Sequence, residues 1–571
     1  MDSANEGSKK RVGNLNNLIQ PLLTDKYQVS MCYAYWRDGK HNDSAVFDLF
    51  FRKNPFQGEY TIFAGLDECL RYIENFKFTQ RDIDYLKSIP DYLKIEEAFW
   101  TYMLSLDASQ LRMLALREGS VCFSNLPLAR LEGPLGLLQL LETALLNLIN
   151  YASLVATNAA RFKMSAIAGN MAHCRLLEFG LRRAQGPDGG FSGSRYSYIG
   201  GFDATSNLLA GRELGIPVSG TQSHAFIMAY FGSARLARDD ATGYRFLFNR
   251  LTQREENFTL KVLDMEQRVL GENFLDKKAS SANEPSELKA FTIFAWAFPE
   301  NFLALIDTYD VIRSGLVNFS IVAMALLEFG YKPIGVRIDS GDLAYLSRCS
   351  RNLFSRVEAR FNLSHFSRLE IVASNDINEA TITSLSDQSH AITCLGIGTH
   401  LVTCQNQPAL GCVYKLVETG GRPCMKLSST PGKISIPCRK TCYRLFGKDG
   451  KALLDLLVPD CDGTQPPEPG KRILCRHPFE AEKRCYVTPS RVEPLLQLFW
   501  DGGPVLGAHE SALPAPKLEE ARAHCLNSLE LFTDDIKRSL NPTPYKVSVS
   551  EALFALLTEL RLNLTPIGEL S

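Results

Sequence analysis

An excess of charge of either sign is missing from this chain. Its 571 residues carry 62 Lys and Arg against 63 Asp and Glu, a formal net charge of -1. That balance creates no global field to draw in nucleic acid, so any attraction for phosphate has to be local. Histidine is scarce, at 9 residues, and no His pair or second close Cys pair completes a zinc site around Cys438 and Cys442, which are spaced CxxxC. Clean apolar runs of membrane-spanning length are also missing. The most apolar stretch, Leu135 to Ala156, is interrupted by Glu142, Asn147 and Asn150, which favours a buried helix over a membrane span. The opening residues, MDSANEGSKKRVGNLNN, have no apolar h-region and read as a mobile tail rather than a secretory signal. The 15 cysteines are odd in number and scattered, with nine between Cys394 and Cys485. They are expected to be reduced, metal-free thiols of a cytosolic protein.

What is present begins with length. A chain of 571 residues exceeds one ordinary core, so two or three domains are expected. Apolar residues make up 45% and charged residues 22%, as in a soluble globular protein. The most informative stretch is Leu176 to Phe226, LLEFGLRRAQGPDGGFSGSRYSYIGGFDATSNLLAGRELGIPVSGTQSHAF. Arg182 and Arg183 stand ahead of Gly-Pro-Asp-Gly-Gly, which reads as a turn, and glycines recur at Gly193, Gly200 and Gly201. Glycines let backbone approach a ligand closely, and paired guanidinium forks suit phosphate oxygens. His224 follows Gly220-Thr221 and is a candidate nucleophile or proton carrier. The combination points to a phosphorylated sugar.

Along the chain, Gln20 to Tyr35 reads as a helix with Tyr27, Met31 and Tyr35 on one face, which by spacing alone suits core packing. Ser44 to Arg52 reads as a strand, and Leu135 to Arg161 as one long helical region. From Gly180 onward, short apolar runs end in polar clusters: Ile216–Val218 before Gly220-Thr221-Gln222-Ser223-His224, Phe302–Ile306 before Asp307-Thr308, Ile334–Ile338 before Asp339-Ser340-Gly341-Asp342, Leu369–Ala373 before Ser374-Asn375-Asp376, and Ile392–Leu395 before Gly396-Ile397-Gly398-Thr399. Helical patterns lie between most of them, which is the rhythm of βα units in a parallel sheet or barrel. In such folds the chemistry gathers at the carboxyl ends of the strands, so these five endings are expected at one mouth. The last ending suits a phosphate cradle of backbone N–H groups and a hydroxyl. Asp239-Asp240-Ala241-Thr242-Gly243 has the form of a phosphoribosyl-binding acidic pair, but Arg235–Arg238 ahead of it is no apolar strand, so it is set aside. After Thr403 the chain is rich in β and turn residues, with Gly447-Lys448-Asp449-Gly450 marking a hairpin.

LLTDKYQ, EFGLRRAQGPDGG, YSYIGGFDATSN, GIPVSGTQSH, GVRIDSGDL and GIGTHLVT occur in that order. With these motifs the chain resembles the nicotinate phosphoribosyltransferases of the long eukaryotic type. The resemblance runs from Pro21 over nearly the whole sequence and is weakest in the Gly232–Pro285 insert and beyond Arg439. It implies an α/β fold: an irregular α/β barrel of the type II phosphoribosyltransferase kind, with a second α+β domain formed by N- and C-terminal segments. The expected layout is a tail at 1–17, an N-terminal α+β domain at 18–150 and a barrel at 151–405 with a peripheral insert at 232–285. A β-rich segment at 406–490 would join the N-terminal domain, and a helical region would fill 491–571.

The resemblance also implies an activity. Nicotinate and phosphoribosyl pyrophosphate would give nicotinate mononucleotide and pyrophosphate, coupled to ATP hydrolysis, as the first step of NAD biosynthesis from nicotinic acid. A cytosolic homodimer with active sites at the subunit interface is implied, with Mg2+ (or Mn2+) and no nucleic-acid or membrane partner. Tyr27, donated by the other subunit, and Phe179 would sandwich the pyridine ring. Arg337 would meet the nicotinate carboxylate, and Thr221 would line the same pocket. Arg182 and Arg183 would serve nucleotide phosphate or pyrophosphate. Asp203 and Asp339 would face ribose or magnesium pyrophosphate, with Asp339 as the metal contact, and Gly398 and Thr399 would hold the 5′-phosphate. His224 matches a histidine phosphorylated by ATP, and Asp307 a carboxylate that orients it.

These roles suit the chemistry. A leaving pyrophosphate needs anion stabilisation, an aromatic acid needs a guanidinium, and a phosphate-accepting imidazole needs a fixed tautomer. Ala225 stands where family members often carry Ser, which removes one hydroxyl near the phosphate. Two other readings keep the fold: nicotinamide or quinolinate as the base, or a non-catalytic nucleotide-binding relative.

Overall fold

Six short segments of the central region pair side by side in parallel. In spatial order they are Leu303–Leu305, Gly335–Ile338, Glu370–Ser374, Cys394–Ile397, Arg175–Glu178 and Ala204–Thr205. Every neighbouring pair is parallel, with Val336 opposite Ile371, Ala373 opposite Leu395 and Gly396 opposite Leu177. Parallel neighbours need long crossovers, and the helices Leu316–Glu328, Leu343–Phe361 and Glu379–Asp387 supply them. Covered on both faces, the strands are nearly continuous buried apolar runs. Val218 extends one edge by a parallel bridge to Thr205. On the other edge the Oε1 of Gln222 accepts a hydrogen bond from the Leu305 N–H at 3.3 Å, so a side chain stands in for the ladder that would close the ring. That substitution is what makes the α/β barrel irregular.

These observations come from a computed structural model that describes residues 16–233, 235–271, 285–428, 433–461, 464–505, 518–565 and 567. Residues 1–15 of the expected tail, 272–284 of the insert and 462–463 of the β-rich segment lie outside the described residues. The chain divides into two compact units: residues 161–194 with 202–403, which hold the parallel barrel, and residues 1–160, 195–201 and 404–571.

Within the barrel unit, local chemistry sets the element ends. Asp342 caps Leu343–Phe361 by accepting from the Tyr345 N–H at 2.9 Å, and Asn362 ends that helix at φ 50°. Gly-Pro-Asp-Gly-Gly is not the expected turn. It opens the helix Gly186–Ile199, because a proline in the first helical turn has no N–H to lose there. Ile216–Val218, expected as a full strand, contributes only the Val218 bridge. The insert is less peripheral than expected. It forms the hairpin Phe246–Asn249/Arg254–Asn257 and the helix Phe258–Gly271, which buries Val262, Met265 and Val269 and packs on Leu316–Glu328.

The second unit is built from both ends of the chain. Ser44–Phe51 lies antiparallel between Ala129–Pro134 and Cys412–Thr419, and Arg112–Ala115 pairs with Gln497–Asp501. A second sheet joins Lys440–Phe446, Ala452–Pro459, Ile473–Arg476, Arg484–Val487, Arg491–Pro494 and Val547–Ser550. Gly450 at φ 76° closes the expected hairpin, its N–H donating to the Gly447 carbonyl at 3.1 Å. The 491–571 region was expected to be helical, yet it also supplies Arg491–Pro494, Gln497–Asp501 and Val547–Ser550 to the two sheets. Among the described residues two helices, Leu135–Ala168 and the run Val311–Glu328, are long and apolar enough to cross a membrane, and 61% and 72% of their most apolar windows are buried inside the protein.

Candidate active site

The carboxyl ends of the parallel strands meet around Arg337. Its Nε donates to the Ser374 Oγ at 2.9 Å, Nη1 to the Thr221 Oγ1 at 3.0 Å and Nη2 to the Asp339 Oδ1 at 3.0 Å. A guanidinium has five N–H donors. With one on each nitrogen engaged, each terminal nitrogen keeps a second for a ligand. The Phe179 ring lies with its centroid 5.4 Å from the Arg337 Cζ. It fits against the next strand because residue 396 is glycine: a Cβ there would stand 2.5 Å from the ring. Gly180 plays a similar part, since a Cβ would meet Val402 of the short helix Thr399–Val402 at 2.4 Å.

Asp339 is held from two sides. Ser374 donates to the same Oδ1 that Arg337 reaches. Burial pushes its pKa up, but the Ser374 hydroxyl and the Arg337 charge outweigh that and hold it below the ordinary carboxylate value. His224 opens the helix His224–Met228, and its Nε2 faces Asp339 Oδ2 at 3.7 Å and Asp307 Oδ1 at 3.9 Å. Its Nδ1 is 3.2 Å from the Thr308 Oγ1. The imidazole therefore donates no hydrogen bond to Asp307, the carboxylate expected to orient it. Asp307 instead accepts from the Asp339 N–H at 3.2 Å and the Ser340 hydroxyl at 2.5 Å. Its Oδ1 is buried without a donor.

Two cavities meet at this cluster and share Phe179, Arg182, Arg337 and Asp339. One of about 470 Å³ runs past Thr221, His224 and Leu305. The other, about 110 Å³, is lined by Arg183, Asn375, Asp376, Gly398 and Thr399. Arg182 thus borders both spaces and Arg183 only the second, a distinction the adjacent pair hides in the sequence. Asn375 at φ 98° and Asp376 at φ 44° are successive left-handed residues at the tip of their strand, backbone strain of the kind held at ligand sites.

Ten of the residues singled out from the sequence come together here: Phe179, Arg182, Arg183, Thr221, His224, Asp307, Arg337, Asp339, Gly398 and Thr399. Asp203 does not. It precedes the strand Ala204–Thr205, and its Oδ2 accepts from the Leu176 N–H at 2.8 Å, at the amino-terminal edge of the sheet. In a parallel sheet that edge lies opposite the strand tips, so Asp203 is corrected to a structural residue. Tyr27 belongs to the other unit, where it lies half exposed on the helix Lys26–Arg37. Ser374 and Thr308 were missed as partners. Both were visible as strand-tip residues, but side-chain direction was not. Asp239 and Asp240, set aside earlier, lie outside both cavities, and Asp240 accepts from the Thr242 N–H at 3.1 Å in a surface turn.

An irregular parallel barrel whose strand tips gather these groups has the fold of a type II phosphoribosyltransferase. Residues 22–150 match the model of the nicotinate phosphoribosyltransferase N-terminal domain, and residues 439–557 that of its C-terminal domain. The nicotinate phosphoribosyltransferase of Caenorhabditis elegans is 52% identical, over 97% of this chain and 96% of that one. The Homo sapiens protein of that name is 40% identical, over 96% and 98%. The crystal structure of human nicotinic acid phosphoribosyltransferase superposes with a TM-score of 0.81 at 39% identity, covering 94% of this chain and 99% of that one. The chain belongs to the nicotinate phosphoribosyltransferase family.

Proposed function

We propose that the barrel cavities bind nicotinate beside phosphoribosyl pyrophosphate and join them into nicotinate mononucleotide, releasing pyrophosphate. This is the reaction of the family, an enzymatic step of NAD biosynthesis. One observation carries the choice of base: Arg337 is anchored by Ser374, Thr221 and Asp339, yet keeps a free N–H on each terminal nitrogen beside the Phe179 ring. A fork fixed in that way suits a planar aromatic carboxylate. Thr221 lines the base pocket with Arg337. Tyr27, in this reading, supplies the second aromatic face from another copy of the chain in a homodimer.

The donor sugar lies across the shared border. Arg182 and Arg183 offer guanidinium groups to phosphate or pyrophosphate, and Gly398 and Thr399 offer backbone and hydroxyl to the 5′-phosphate. As the pyridine nitrogen approaches the anomeric carbon, positive charge builds on the ribose and negative charge on the leaving pyrophosphate. The Asp339 carboxylate, kept ionised by Ser374 and Arg337, faces the first, and the arginines the second. Asp339 and the donor-free Oδ1 of Asp307 are hard oxygen ligands that fit Mg2+ or Mn2+. When bound, such an ion would neutralise pyrophosphate charge.

His224, 40% exposed beside these carboxylates, is in this reading the acceptor of a phosphoryl group from ATP, with Thr308 holding Nδ1. Ala225, unlike a serine at that position, offers that phosphate no hydroxyl. The cellular setting is the cytosol. The test is a coupled assay of the purified chain with phosphoribosyl pyrophosphate and magnesium, offering nicotinate, nicotinamide and quinolinate in turn, with and without ATP. Product from nicotinate, stimulated by ATP, is expected. In His224→Ala the stimulation disappears while slow ATP-independent synthesis remains, and equal stimulation in variant and parent would falsify the phosphohistidine role. Binding of nicotinate mononucleotide without its formation would favour the non-catalytic reading.

A further inference from the structure

Directly behind the aromatic wall lies a carboxylate that touches neither cavity. Glu178 ends its strand, is 1% exposed and immediately precedes Phe179. Its Oε1 accepts from the Gly180 N–H, while its Oε2 accepts from the Ser194 hydroxyl at 2.8 Å and the Thr205 hydroxyl at 2.5 Å. Those donors come from three places: the turn after Phe179, the helix Gly186–Ile199 and the strand Ala204–Thr205. Asn207 extends the network, donating from Nδ2 to the Ser194 Oγ at 3.1 Å while its Oδ1 caps the helix Leu208–Leu214. A buried carboxylate is costly unless donors surround it, and here three donors converge on the residue next to the one that faces the pocket.

We propose that Glu178 is a positioning residue for substrate binding: by clamping the Gly180 amide to Ser194 and Thr205 it sets the Phe179 ring against Arg337. The proposal rests on the reading of this pocket as the nicotinate site. Gln is the isosteric probe, because its NH2 would put a donor where the Gly180 N–H, or the two hydroxyls, now find an acceptor.

The experiment is steady-state kinetics of Glu178→Gln in the full chain, with melting temperature recorded alongside. The KM for nicotinate is expected to rise about tenfold or more, with kcat at saturation within about threefold of the parent. A purely structural role would lower the melting temperature or the active fraction and leave KM alone, and a nicotinate KM within twofold of the parent overturns the proposal. If Glu178→Gln does not fold, Ser194→Ala removes one donor and leaves the carboxylate in place. It is expected to raise the same KM two- to fivefold, and an unchanged KM there also overturns the proposal. Failure of the nicotinate reading itself would appear in the parent enzyme, as absent turnover of nicotinate, and is thereby distinguished.

Discussion

Arg337 and Arg444 are the same side chain in opposite settings. Arg444 grips Asp455 with Nε to Oδ1 and Nη2 to Oδ2, both at 2.8 Å, and Nη2 also donates to the Val121 carbonyl at 3.0 Å. The two side chains are 3% and 0% exposed, and Tyr545 adds its hydroxyl to Asp455 at 3.0 Å. The histidines differ in the same way. His524 sits 2.9 Å from the Ser120 hydroxyl in the same unit as Arg444, and burial, with the charges of Arg117 and Arg444, pushes its pKa down to about 4. His224 stands half open between two carboxylates. Residue type alone does not separate structure from chemistry. The distinction lies in whether a polar group's bonding is closed within the protein or left open to a cavity.

Breaking the closed case should have the largest effect. Arg444→Met leaves Asp455 buried without its partner and is expected to cost about 3–5 kcal/mol of stability, read by denaturant unfolding, with nicotinate KM unchanged in the folded fraction. A loss below about 1 kcal/mol would contradict the contrast.

The histidines give a pH form of the same test. The folded His524 resists protonation, while the unfolded chain takes up the proton near the ordinary value of 6.5. Above that value the residue is neutral in both states and has no effect. As pH falls from about 6.5 to about 4, stability should decline by up to about 3 kcal/mol from this group. Unfolding curves across that window should flatten in His524→Asn, and an equally steep decline in the variant would show that His524 is not the source.

A smaller change sharpens the open site. In Gly396→Ala the new methyl meets the Phe179 ring, which can swing aside, so the protein should fold while nicotinate KM rises about tenfold, or about 1.4 kcal/mol. No change in KM would mean that the ring is not a wall of the base pocket.

Much of this was legible in the sequence. The alternation of apolar runs and polar tips marked the barrel strands, and the motifs marked the residues at its mouth. What could not be read was direction. Asp203 sits in a glycine-rich motif but before its strand, so it faces the wrong edge. Gly-Pro-Asp-Gly-Gly looks like a turn because helix N-termini and turns favour the same residues. Ser374 and Thr308 became partners of Arg337 and His224 only through the sheet register. The late strands Gln497–Asp501 and Val547–Ser550 are short and find their partners far back in the chain, which no local pattern reveals.

The most direct measurement is the pair of Michaelis constants in Arg337→Ala. Losing the anchored fork should raise nicotinate KM about a hundredfold, or about 3 kcal/mol, while KM for phosphoribosyl pyrophosphate stays within about threefold. An unchanged nicotinate KM, or an equal rise in both constants, would contradict the assignment of Arg337 to the carboxylate of the base.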